Sequence, residues 1–188
     1  MLVVLDIISY FNLKTPNMKR FLLLLFMLVS VNIFSQAPAN ETRIRAVIQT
    51  MEDSYNAHDY SFSGKYDILI PDACFINPVG MYWRNRKEII QAVQALGKIR
   101  LKYESTKYTI RQIKFLVPKA AFVVVTSNDT VLEDYNFPDG SKGGSKGDAG
   151  TSMYSFTLTR IGIDWKIVFV LITHVDPGAA PMNLIKNH

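Results

Sequence analysis

Apolar side chains recur at Ile44, Val47, Ile48, Met51 and Tyr55, a spacing of three and four that predicts an amphipathic helix with this face buried. Asn40-Glu41-Thr42-Arg43 opens the helix, with Asn40 or Thr42 as its cap, and the polar run Asn56-Ala57-His58-Asp59 ends it. A second, shorter helix is predicted from a cap at Asp59 or Ser61 through Phe62, Tyr66 and Ile70, stopped by Pro71. The pattern then changes period. Cys74-Phe75-Ile76 and Met81-Tyr82-Trp83 flank Pro78-Val79-Gly80, which predicts two short strands joined by a turn, with Asn77 the polar side chain caught at the bend. After Arg84-Asn85-Arg86 the helical period returns from Lys87 to Gly97, with Ile89, Ile90, Val93 and Leu96 inward and Gly97 as C-cap.

From Arg100 the chain alternates. Thr106, Tyr108 and Ile110 share one parity and Ile113, Phe115 and Val117 the other, so a β-bulge is expected near Arg111-Gln112. A strand over Ala120–Asn128 follows, then Asp129–Phe137, a Gly-Ser-Lys loop over Pro138–Gly150, and a strand over Thr151–Arg160. In that strand Tyr154, Phe156 and Leu158 alternate with Ser155, Thr157 and Thr159, so one face packs and the other is wet. A last strand runs from Trp165 to about Val175. The expected fold is α+β: a cone-shaped, bent antiparallel sheet packed against N-terminal helices, leaving an apolar-walled mouth.

The N-terminal sequence changes the address rather than the fold. Met18-Lys19-Arg20 before the apolar run Phe21–Val29, with Ile33-Phe34-Ser35 behind it, reads as a signal peptide over 18–35. Ser30 and Asn32 interrupt the run, so export is expected, to the periplasm or the exterior, rather than a stable membrane anchor. Residues 1–17 then read as an upstream extension with Met18 the initiator, 40–176 as one domain, and 177–188 as a tail. Taking Lys14, Lys19, Arg20 and Asp6 from 21 basic and 16 acidic side chains leaves 18 and 15, a net of about +3 without a long basic block, which argues against nucleic acid as partner. The single Cys74 has no disulfide partner in the chain and is expected as a buried hydrophobe of its strand.

Candidate chemistry is sparse. Asn77 is either an Asn-Pro turn former or a hydrogen-bond anchor facing a pocket, and Met81 and Trp83 share its parity, as wall or as ordinary core. His58-Asp59 at a helix end favours capping over metal binding, and no metal or cofactor is expected. His174 and Asp176 are two apart on the last strand and so face one side. Asp129, with Glu133-Asp134 beyond it, stands either at a cavity mouth or at a solvated hairpin end. The Gly-Ser-Lys loop lacks the spacing of a phosphate loop and reads as a mobile tip or a lid.

With these residues placed, the chain resembles the nuclear-transport-factor-2-like superfamily, and within it the SnoaL-like and SgcJ/EcaC-type small proteins. The carriers are Ile44-Arg-Ala-Val-Ile48, Tyr55-Asn-Ala-His-Asp59, the run from Pro78 through Gly80-Met-Tyr-Trp-Arg84 to Ile89, and Trp165-Lys-Ile-Val168. The resemblance implies a cone with a ligand cavity, often in a homodimer. It also implies that Asn77 stands where ketosteroid isomerases carry their catalytic carboxylate before a Pro-Val-Gly turn, and an amide cannot abstract a proton. Met51 departs from the oxyanion-stabilising Tyr of those isomerases, and Phe169 and Leu171 stand where many relatives have His. The leading expectation is a small, largely apolar ligand held by Tyr55, Asn77, Met81, Trp83 and Tyr108. The alternatives are an isomerase, dehydratase or cyclase using His174 or Asp129, and a dimerisation module without ligand.

Overall fold

The computed structural model describes residues 38–176 and 178, and the expected extension, leader and remaining tail lie outside them. The chain divides into two units, Met1–Thr42 and Arg43–His188, and the strands described below all belong to the second. Helix α1 covers residues 38–56, so Asn40 and Thr42 stand inside it rather than capping it, and Thr42 Oγ1 donates back to Pro38 O at 3.0 Å. Its predicted face is the buried one: Ile44, Ile48 and Met51 are sealed in the core. Each such side chain contributes roughly 1.5–3 kcal/mol on leaving water.

The second helix is not formed. Only a short 3-10 turn, Gly64–Tyr66, interrupts an extended segment, and strand β1 (Leu69–Ile76) runs straight through Pro71. The spacing of Phe62, Tyr66 and Ile70 imitates a helical period, but Arg86 holds the segment open. Its guanidinium pairs with Asp67 at 2.7 Å and donates to the carbonyls of Leu69 and Phe62. Pro71 is tolerated because β1 bulges between Leu69 and Cys74 against its parallel partner, where no ladder N–H is required.

Strand β2 (Tyr82–Trp83) folds back on β1, pairing Phe75 with Trp83. Helix α2 (Arg86–Ile99) follows. Asn85 caps it by accepting from Glu88 N at 3.0 Å, while Arg84 N donates to Glu88 Oε2, a reciprocal arrangement close to a capping box. Ile89 and Val93 are buried and Ile90 partly so, but Leu96 is exposed, and Gly97 is interior rather than a C-cap. The reason for glycine there is close approach: a Cβ would stand 2.3 Å from Cε2 of Tyr60.

The long strands β3 (Glu104–Val117), β4 (Ala120–Val131), β7 (Ala149–Ile161) and β8 (Asp164–His174) are antiparallel neighbours in a six-stranded sheet ordered β2-β1-β8-β7-β4-β3. β1 joins β8 in parallel, so the sheet is mixed rather than wholly antiparallel. The β3–β4 register shifts between Ile110 and Gln112, at the bulge the parity change predicts. Between β4 and β7 the Gly-rich segment is not a bare loop; it forms a ribbon of β5 (Tyr135–Asn136) and β6 (Lys142–Gly144), with Tyr135 lying on Gly143 and Gly144. Cys74 is half-exposed rather than buried, and Tyr82 donates to its Sγ at 3.4 Å.

Candidate functional site

The inner face of the sheet and the helices enclose a cavity of about 240 Å³. α1 contributes Tyr55, the β1–β2 turn contributes Asn77 to Val79 and Met81, and β1 and β2 add the packed pair Phe75 and Trp83, 5.1 Å apart. α2 adds Val93 and Leu96, and β7 and β8 close the wall with Tyr154 and Ile172. The polar end gathers where the strands finish: Arg100, Glu104, Thr106, Asp129, Ser152 and His174. A recess of about 320 Å³ shares five of these residues, lacking only Thr106, and lies beneath the β5–β6 ribbon, from which Tyr135 donates to Glu104 Oε1 at 3.2 Å.

Asn77 is both of the things its sequence allows. Its Oδ1 accepts from Val79 N at 3.1 Å and Met81 N at 2.8 Å, closing a turn in which Gly80 takes φ +81°, and the same residue lines the cavity. The turn keeps phase, so Met81 and Trp83 join it on one wall. Tyr55 lines the cavity from α1. Tyr108 is not among the lining side chains: it is buried and packs against Tyr154, ring centroids 5.2 Å apart. Parity puts Tyr108 on the inner face, where its ring meets that of Tyr154 across the intervening strand β4.

Asp129 and His174 both line the cavity. The Asp129 carboxylate is fixed by hydroxyls, since Thr106 Oγ1 and the buried Ser127 Oγ each donate to Oδ1 at 2.6 Å, and neither of these bonds uses Oδ2. His174 Nδ1 is 3.1 Å from Ser152 Oγ. The strand geometry expected to place His174 and Asp176 on one side does not extend to Asp176: β8 ends at His174, and the Asp176 carboxylate accepts from Gly178 N at 2.8 Å. Burial, then the neighbouring Tyr154, Tyr60 and Asp129, hold the Tyr55 phenol well above its ordinary pKa, and burial followed by Asp129 does the same for Tyr154. Both are therefore neutral donors at any ordinary pH.

Phe169 and Leu171 are the instructive correction. The β7–β8 register shifts between Thr157 and Leu158, so Val168 is bulged and parity inverts along β8: Trp165 and Ile167 point inward, then Val170, Ile172 and His174. Phe169 and Leu171 consequently lie on the outer face, and nothing about the chemistry of the cavity follows from their being apolar. At the other end of α1, His58 sits at φ +54° with Nδ1 3.2 Å from Tyr60 Oη, and Asp59 accepts from Ser61 N, a turn. Among the described residues no group of three or more His, Cys, Asp or Glu is placed to hold a metal ion.

Comparison with known proteins bears on this geometry. A cystatin-like-fold protein of Caulobacter vibrioides is 26% identical, with a TM-score of 0.65 over 76% of this chain and 94% of that one. An NTF-2-like protein of unknown function from Shewanella oneidensis is 18% identical, with a TM-score of 0.54 over 71% of this chain and 98% of that one. The chain has the cystatin-like, nuclear-transport-factor-2-like fold. A ketosteroid isomerase-like protein of Erwinia carotovora shares this fold at 13% identity and a TM-score of 0.54, covering 72% and 96%. No protein-family model and no curated protein matches the sequence. Within a nuclear-transport-factor-2-like cone the residues that sequence reasoning missed are Arg100, Glu104, Ser152 and Tyr154. The inward parity of Tyr154 was a legible signal; Arg100 and Glu104, 2.7 Å apart across the 3-10 turn Leu101–Tyr103, carried none, because they stand beyond the end of α2.

Proposed function

We propose that the protein binds a small, largely apolar molecule with one oxygen-bearing end, as a member of the SgcJ/EcaC-type group exported by its leader. The observation that carries this is the division of the cavity. Phe75, Trp83, Val93, Leu96 and Ile172 form an apolar wall, and the neutral phenols of Tyr55 and Tyr154 stand with Asp129 at its polar end. An apolar body buries against the wall while a carbonyl or hydroxyl takes the phenol bonds. Titrating a panel of lipophilic alcohols and ketones against Trp83 emission tests it; quenching that weakens in Tyr154→Phe is expected. A panel that leaves the emission unmoved sinks the reading. Export is tested by fractionating cells that express the full sequence, a cytoplasmic full-length product being the contrary result.

The fixed carboxylate supports a second reading, acid–base chemistry of the isomerase or dehydratase kind with Asp129 as base and His174 as its partner, as in an enzyme of the type named for the Erwinia neighbour. Turnover of a found substrate that survives both Asp129→Asn and His174→Ala would eliminate it. The half-exposed outer-face row of Ile76, Phe122, Val124, Phe169 and Leu171 supports a homodimer formed face to face, which light scattering of the wild type and of Val124→Arg checks.

A further inference from the structure

The end of the sheet away from the cavity carries a feature that ligand binding does not use. Leu116 and Val117 close the β3–β4 hairpin and Ile161 and Ile163 the β7–β8 hairpin, and these four aliphatic side chains are 54%, 56%, 57% and 68% exposed. The two tips are one surface: Arg160 N donates to Lys119 O at 2.9 Å and Thr159 Oγ1 to the same carbonyl, so the Pro118-Lys119 turn lies against the end of β7. Single exposed aliphatics are ordinary, but four at adjoining turn tips are not. The rim is basic. Lys119 and Lys114 are exposed on the β3–β4 side, and Arg43, where the chain enters this unit, donates to Ile163 O at 3.0 Å; Asp164 is the acidic group among them.

We propose that this end docks reversibly on an anionic membrane surface, the aliphatic tips entering the interface and Lys114, Lys119 and Arg43 meeting lipid phosphates. Protruding aliphatics at turn tips, with three cations and one carboxylate beside them, suit a deformable apolar layer under an anionic plane better than a protein groove. The geometry has a consequence for the cavity. β8 runs from Asp164 at the tips to His174 at the cavity rim, on the order of 30 Å of extended chain, so a docked molecule holds its mouth toward water.

The test uses residues 36–188, which carry every core side chain from Ile44 to Ile172 and omit the apolar leader that would itself bind lipid. Sedimentation with phosphatidylcholine vesicles containing phosphatidylglycerol is expected to carry the protein down, weakly with phosphatidylcholine alone and less as salt is raised. Leu116→Asp with Ile163→Asp is expected to lower partition about tenfold or more, and Lys119→Glu to lower it on the anionic vesicles only, with melting temperatures unchanged because these side chains are exposed. The proposal is overturned if the wild type stays in solution with anionic vesicles or if the double variant partitions like the wild type. It is equally overturned if the wild type self-associates through these tips and ignores vesicles, which would assign the surface to a second copy.

Discussion

The two bonds that Asn77 Oδ1 accepts, from Val79 N and Met81 N, decide which atoms of this side chain remain for a ligand. The carbonyl oxygen is spent on the turn, and the Nδ2 hydrogens are the donors this cavity-lining residue keeps for a ligand. A carboxylate would also accept both backbone bonds, so the turn does not itself demand an amide. Asn77→Asp is therefore expected to fold with stability within about 0.5 kcal/mol of the wild type. Asn77→Ala, which returns two partly exposed N–H groups to water, is expected to lose about 1 kcal/mol. Denaturant unfolding of the three proteins measures both, and equal stability of the Ala and Asp variants would show that the turn does not depend on Oδ1. Tyr55 makes a related point. Met51, expected as the site of a missing phenol, is core, and the phenol that α1 offers the cavity comes one turn later.

Helix α1 is also what covers the free edge of β3. Asn56 exchanges bonds with Thr106, Nδ2 to O and N to Oδ1, both at 2.9 Å, and the buried Glu52 accepts from Tyr108 N at 2.6 Å and from Lys107 Nζ at 2.8 Å. Burial pushes the Glu52 carboxyl upward, but the bonds from Lys107, Tyr108 N and Gln49 outweigh it, so its pKa lies below the usual value. Glu52→Ala strands the Tyr108 N–H in the core and is expected to cost about 2–3 kcal/mol. Faster hydrogen exchange at Tyr108 should accompany it; a protected amide in the variant would mean that another acceptor has replaced the carboxylate. None of this edge protection was legible in sequence, because it couples residues fifty positions apart. The β3 bulge was legible because apolar and polar residues visibly change phase at Arg111, whereas the β8 bulge at Val168 lies in an unbroken apolar run that carries no phase to read. The false helix before β1 has the same origin: three aromatic and aliphatic residues at intervals of four fit a helical period, and only the distant Arg86 decides otherwise.

At the scale of the molecule, one sheet carries a cavity at one end and aliphatic tips at the other, and the interior near the cavity is unusually rich in phenols. Tyr55, Tyr60, Tyr108 and Tyr154 are linked by ring contacts, Tyr55–Tyr60 at 5.7 Å and Tyr108–Tyr154 at 5.2 Å. Burial, and after it neighbouring charge, raises the pKa of each; for Tyr60 burial and then Glu104 push it up to about 12. The native state thus holds these protons more tightly than the unfolded chain, whose tyrosines ionise near 10. The stabilisation this represents is complete below about pH 10 and is lost as pH climbs through the folded values, so stability must fall on the alkaline side. Because burial is the leading cause of the upward shift in all four, they are expected to ionise on unfolding rather than one at a time in the intact fold. Phenolate absorbance followed with far-ultraviolet circular dichroism should show an early rise from the exposed tyrosines and a later one that coincides with loss of the sheet signal. A full phenolate yield while the sheet signal persists would mean that water reaches these rings in the native state, and with it that the polar end of the cavity is far more open than the packing around Tyr154 allows.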